Sequence, residues 1–127
     1  MTRILIKSKN DLFSKMLNQV LQNKGYDVFV SDIKTSVMHE YRKSKPDVII
    51  YNSSQNKYVL EDLLKLQPFK PIVKVLFVLE HGTTNFYKDL AYANGADGIL
   101  VKPFDMDTLI NLLEKILQQR KHMRKMG

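Results

Sequence analysis

The chain has 127 residues, 44% hydrophobic and 26% charged, with a formal net charge of +7 and no cysteine. That length fits one domain of ordinary size, and the composition is globular rather than disordered. The absence of cysteine excludes disulfides and thiolate metal sites and fits a reducing compartment; no apolar run approaches the roughly 20 residues of a membrane helix, and "MTRILIKSKN" is not a signal peptide, so a soluble cytoplasmic protein is expected.

The first element is a strand, "RILIK" (Arg3–Lys7). Lys7 shares a strand face with Leu5, and its stem is expected to lie at the strand end with the ammonium snorkelling to water. Asn10 or Asp11 can cap the first helix, whose apolar residues Leu12, Phe13, Met16, Leu17, Val20 and Leu21 recur at helical spacing. Gly25 is placed to end it. "YDVFV" (Tyr26–Val30) reads as the second strand. A weaker helix follows, from about Ile33 to Lys43, with Val37, Met38 and Tyr41 on one side. "DVIIY" (Asp47–Tyr51) is a nearly continuous apolar run, as in a strand covered on both faces. The third helix spans about Tyr58 to Leu66, and Pro68 and Pro71 bracket the turn before "VKVLFVL" (Val73–Leu79). A fourth helix, about Thr84 to Ala93, stops at Gly95 before "GILV" (Gly98–Val101). The fifth helix starts at an Asp105 cap, with a core stripe of Met106, Leu109, Ile110, Leu113, Ile116 and Leu117. Five strands alternating with five helices predict an α/β fold, a (βα)5 parallel sheet in a three-layer sandwich. The domain is expected over residues 1–119, with 120–127 as a basic tail.

That tail, "RKHMRKMG", holds Arg120, Lys121, Arg124 and Lys125 and no acid. Its cations suit the negative end of a helix dipole. They equally suit a weak site for nucleic acid, an acidic protein or an anionic surface. A linker toward further chain is a third reading.

No catalytic constellation emerges. His39, His81 and His122 fall in different segments and make no helical ligand pair; no HExxH, GxGxxG, GxxxxGK[ST] or GxSxG pattern occurs. Asp97 and Asp105 read as turn and cap residues, and Ser53 and Ser54 as turn residues. No enzyme activity and no cofactor are expected. Chemistry in such a sheet sits past the carboxyl ends of the strands, and there the third strand ends in Asn52, a neutral amide.

The segment "GADGILVKPFDMDTLINLLEKIL" (95–117), with Gly95-Ala96-Asp97 followed by Val101-Lys102-Pro103-Phe104, resembles the end of a chemotaxis-type response-regulator receiver domain. "RILIKSKN", "GYDVFV" and "PDVIIYN" fall at the spacings which that family uses for its first three strands. The resemblance spans about residues 3–118 and implies a flavodoxin-like, doubly wound sheet in the order 2-1-3-4-5. Receivers are phosphorylation switches. An aspartate ending strand three accepts the phosphoryl group, and an acidic pair after strand one helps bind Mg²⁺. A Ser or Thr ending strand four and a Lys in the last loop contact the phosphoryl group, and an aromatic residue in strand five reports the change. Carried over by position, the acceptor is Asn52, the acidic pair is Ser8 and Lys9, the hydroxyl is Leu79 and the aromatic is Ile99. Of these positions, Lys102 alone carries the family's residue.

An amide lacks the anionic oxygen that attacks a phosphoryl donor. Mg²⁺ prefers several carboxylate oxygens, whereas Ser8, Lys9, Asn52 and Lys102 together carry about +2, which would repel a divalent ion by several kcal/mol at about 4 Å. No Mg²⁺ is expected. Three readings stand for the lysines: Lys9 and Lys102 point to water; or Lys9 fills the vacated metal position and donates to Asn52, in a network with Ser8 and Glu80; or the pocket weakly holds an anion. The expected function is that of an atypical or pseudo-receiver, a phosphorylation-independent interaction module with a protein partner. The partner face is expected on helix four, strand five and helix five, around Tyr87, Tyr92, Leu112 and Lys115, and a homodimer could use the same face. The alternatives are a nucleic-acid or anionic-surface binder acting through the tail, and the N-terminal regulatory domain of a longer regulator.

Overall fold

The computed structural model describes residues 1–9, 11–52, 57–70 and 72–126, the side chains of 57, 58 and 120–126 excepted. The strands are β1 (Arg3–Ser8), β2 (Asp27–Asp32), β3 (Val48–Asn52), β4 (Lys74–Leu79) and β5 (Gly98–Val101). The helices are α1 (Leu12–Asn23), α2 (Val37–Ser44), α3 (Lys57–Leu66), α4 (Asn85–Ala93) and α5 (Met106–Met126), with a 3-10 turn at Gln67–Phe69. The strands form one sheet in the order β2-β1-β3-β4-β5, and every paired neighbour is parallel.

Because successive strand residues point to opposite faces, the apolar runs divide between two cores. Ile4, Ile6, Val48, Ile50, Leu76 and Val78 meet Leu17 and Leu21 of α1 and Leu109, Ile110, Leu113 and Ile116 of α5. Leu5, Ile49, Val75 and Phe77 face the other way, against Val37 of α2, Val59, Leu63 and Leu66 of α3, and Tyr87 and Ala91 of α4. Burial on both sides is what unbroken runs such as "VIIY" require.

Side chains set the helix starts. Asp11, Ser36, Thr84 and Asp105 each accept a backbone N–H from the third residue onward, namely Ser14 (2.9 Å), His39 (3.3 Å), Tyr87 (3.2 Å) and Thr108 (2.8 Å). Each such cap contributes about 1 kcal/mol. The Ser36 cap also explains why α2 starts four residues later than its apolar spacing predicts. Residues 33–35 form a turn, anchored by the buried Ile33, and β2 runs on to Asp32. The Gly95-Ala96-Asp97 turn has a structural role. Gly95 sits at φ +109, and the Asp97 carboxylate accepts the Val75 N–H at 2.8 Å while pairing with Lys70 and, at 3.7 Å, with Lys74.

One expectation needs correcting here. Lys7 does not snorkel: it is fully buried, because α2 and the turn before it close over the end of β1. The backbone of residues 120–126 continues α5 to Met126, so the basic stretch extends the last helix.

At Gly98 helix α5 packs closely on the sheet. A Cβ there would lie 3.0 Å from the Ile116 Cδ1 and 3.2 Å from the Leu112 and Leu76 methyls. Gly98→Val is therefore expected to destabilise the domain by about 1–3 kcal/mol through overpacking, read as a lower urea midpoint with an unchanged slope.

Candidate functional site at the carboxyl edge of the sheet

Parallel pairing of β1 and β3 sets Ser8 directly beside Asn52 at the last rung of the ladder. Both side chains point to the α1 side, and both are buried, at 1% and 4% exposure. The two N–H groups of the Asn52 amide are shared among the Ser14 Oγ at 2.7 Å, the Asp11 Oδ1 and Oδ2 at 3.0 and 3.2 Å, and the Ser8 Oγ at 3.3 Å. The Ser8 and Ser14 hydroxyls also hydrogen-bond to each other. A carboxylate only accepts, so the amide edge that faces Asp11 is its NH₂. Ser14 is buried in the same helical row as Leu17 and Leu21.

Asp11 does two things: it caps α1 and it accepts from Asn52. Burial alone would raise its carboxyl, but the Ser14 N–H and hydroxyl, the nearby Lys102 charge and the Asn52 amide hold it below the ordinary carboxylate value. A carboxyl depressed in the folded state adds stability above its unfolded value of about 3.9, and that stability is lost as pH falls through the lower folded value.

Lys102 leaves the last loop and reaches Glu80, after β4, at 3.3 Å, with its ammonium 4.4 Å from the centre of the Phe13 ring. Phe13 in turn meets Phe104 edge-on at 5.8 Å. Lys102 thus spans α1 and the loops after β4 and β5.

The expected network changes in its members. Lys9 is exposed and is not among the partners of Asn52; Asp11 and Ser14 take that place. Nor does the pocket carry about +2. The charges of Asp11 and Glu80 offset those of Lys9 and Lys102, because the helix-capping acid turns inward and the acid after β4 pairs with the lysine. The chemistry of the donor set still does not suit Mg²⁺. Hard cations take several carboxylate oxygens, and here an amide N–H is aimed at the carboxylate. No step is derived through a metal.

Leu79 is buried at the end of β4, and Ile99 is half-buried in β5, packed against the α2–α4 core. Of the four residues expected on a partner face, two lie at the surface. Tyr87 is buried and Leu112 packs against the α1–α5 core beside Gly98, so neither offers its side chain freely to a partner. Tyr92, 51% exposed, and Lys115 remain at the surface, and Phe86, on the same helix as Tyr92, is 77% exposed. Ser53 and Ser54 lie outside the described residues. Asp11 and Ser14 were the residues that sequence reasoning missed as members of the site. A serine three residues before Leu17, in the buried row of α1, was the available signal.

The family model described as the response regulator receiver domain matches residues 4–114. An uncharacterised transcriptional regulatory protein of Bacillus subtilis (strain 168), YvcP, is 22% identical over 121 residues, covering 94% of this chain and 50% of YvcP. The chain thus spans half the length of that relative. Among solved structures, NtrX from Brucella abortus superposes with a TM-score of 0.84 at 20% identity, over 99% of this chain and 28% of NtrX. The chemotaxis protein CheY4 of Vibrio cholerae superposes with a TM-score of 0.73 at 27% identity, over 91% of this chain and 98% of CheY4. The retained Gly95–Phe104 signature, the strand order and a match over most of its length place this chain in the response regulator receiver domain family.

Proposed function

We propose that this receiver domain is a pseudo-receiver, an interaction module whose output does not depend on phosphorylation and which turns over no substrate. The observation that carries the reading is the Asn52 amide, which donates to Ser8, Ser14 and Asp11 where the family places a phosphoryl acceptor. The pocket is closed by its own side chains, so the domain stays in one state and its surface is constitutively presented. Exposed Phe86 and Tyr92 on α4, with Lys115 on α5, are the side chains offered to a protein partner or to a second copy.

The second reading has its own observation. Helix α5 continues to Met126, nine residues past Leu117, the last of the described side chains that packs on the core, and the chain spans half of a relative described as a transcriptional regulatory protein. On this reading the domain regulates a longer protein, and the basic stretch contributes only non-specific attraction to nucleic acid.

Incubation with acetyl phosphate, or with beryllofluoride, in the presence of Mg²⁺ is expected to give no mass adduct and no Mg²⁺-dependent NMR shift at Ser8, Asn52 or Lys102. A stoichiometric adduct would overturn the pseudo-receiver reading.

Asn52→Asp is expected to destabilise the domain by about 1–3 kcal/mol at neutral pH, since it replaces a donor with a carboxylate roughly 3 Å from the Asp11 carboxylate. Like charges raise the folded-state value of the new acid, so the penalty is present above that value and shrinks as pH falls through it. Thermal melts between pH 4 and 8, with and without Mg²⁺, measure it.

Removing residues 120–127 is expected to abolish weak, salt-suppressed binding to duplex DNA and to leave the fold intact. Fluorescence anisotropy across a salt series checks this; binding that persists at physiological salt and is lost with those residues would favour nucleic acid as the output.

A further inference from the structure

The amino ends of the strands form the edge of the sheet opposite Asn52. There the start of β1, the end of α2 and the residues before β4 enclose an open cleft of about 350 Å³, within the size range of small-molecule sites. Arg3 begins β1, and Asp47 stands immediately before β3. Backbone pairing fixes both: the Asp47 N–H donates to the Arg3 carbonyl at 2.8 Å, and the Asp47 Oδ2 accepts the Arg3 N–H at 2.9 Å. The Arg3 guanidinium is half-exposed, and its pairing with Asp27 is loose, at 4.0 Å through Nε. Its fork of N–H donors can therefore receive a further oxyanion.

Lys45 supplies the other cation in the cleft, and its backbone is unusual. It ends α2 in the left-handed region, at φ +47 and ψ +60, with its N–H on the Tyr41 carbonyl at 2.8 Å. Glycine or asparagine normally takes that conformation at a helix end. Nor does the helix dipole need the charge, because Arg42 and Lys43 already occupy the last turn. The fold alone thus favours glycine at 45, whereas a cleft that takes an anion favours lysine. The other walls are apolar. The Tyr41 ring, packed on Phe69 at 4.6 Å between centroids, lines the cleft with Pro46 and Ile72. Among the charged residues of the lining, Arg3 and Lys45 outnumber Asp47.

We propose that this cleft binds a small organic anion: a carboxylate or phosphate group held by Arg3 and Lys45, on a short apolar body that lies against Tyr41, Pro46 and Ile72. Such a ligand uses both kinds of wall, as small-molecule sites do. The site stands independently of the Asn52 cluster, which lies at the other ends of β1 and β3.

Amide NMR on the full chain tests it, with phenyl phosphate and benzoate as probes. One or both are expected to give saturable shifts at Arg3, Lys45, Asp47 and Ile72, with a Kd below about 5 mM, and none at Ser8, Asn52 or Lys102. Whichever probe binds names the oxyanion. Inorganic phosphate lacks the apolar body and is expected to bind at least about fivefold more weakly. Arg3→Gln and Lys45→Gly are each expected to weaken binding at least about tenfold. Lys45→Gly relieves the left-handed backbone, so its melting temperature is expected not to fall, which separates lost binding from lost folding. The proposal is overturned if neither probe saturates by about 20 mM, or if either variant binds like the parent. It is also overturned if inorganic phosphate binds as tightly as the probes. Equal shifts at Lys9, Lys102 and Lys115 would overturn it too, since they would mark diffuse attraction to a basic protein.

Discussion

The hydrogen bonds of one buried amide organise the working end of this domain. Asn52 ends β3, and its NH₂ reaches Ser8 at the end of β1 and both Asp11 and Ser14 at the start of α1. Three elements are tied at one atom. Each bond contributes only about 1 kcal/mol net, but leaving any of the buried partners unsatisfied costs more than that. The cluster is therefore held by the cost of opening it as much as by the attraction within it.

The same two strand ends feed a second polar network on the opposite face. Lys7 and Ser8 are consecutive, as are Tyr51 and Asn52, and the pleat sends Ser8 and Asn52 toward α1 and Lys7 and Tyr51 toward α2 and α3. The sheet separates a compact amide–hydroxyl–carboxylate cluster from a buried ammonium bonded to Thr35 and a tyrosine bonded to Asp62. Asp97 provides a third polar anchor at the other end of β4, tying the turn after α4 to Val75, Lys70 and Lys74. Each network joins elements far apart in sequence, and the two apolar cores fill the space between them.

Strand runs, helix stripes and caps made the fold legible in the sequence, because apolar periodicity and capping chemistry are local. "VIIY" reads as a strand buried on both faces and is one, and Asp11 and Asp105 cap the helices they precede. The identity of the residue at position 52 was equally plain. The partners of that residue were not. Periodicity places Ser14 on the inner row of α1 without revealing that the row passes over the end of β3, and a helix-capping acid carries no mark that it also faces a buried amide. Lys7 misled for a related reason: a lysine near a strand end normally reaches water, and only the closure of the β2–α2 turn prevents it. Tyr87 and Leu112 followed the same pattern, since a helix's exposed side depends on how wide a stripe its neighbours cover.

The double duty of Asp11 also ties two positions of the chain together. An acid placed at 52 would meet the acid that anchors the neighbouring helix. Relieving that repulsion by removing Asp11 would take away the cap and fray the start of α1. The residue at the end of β3 and the first turn of α1 therefore tolerate change only with reference to each other.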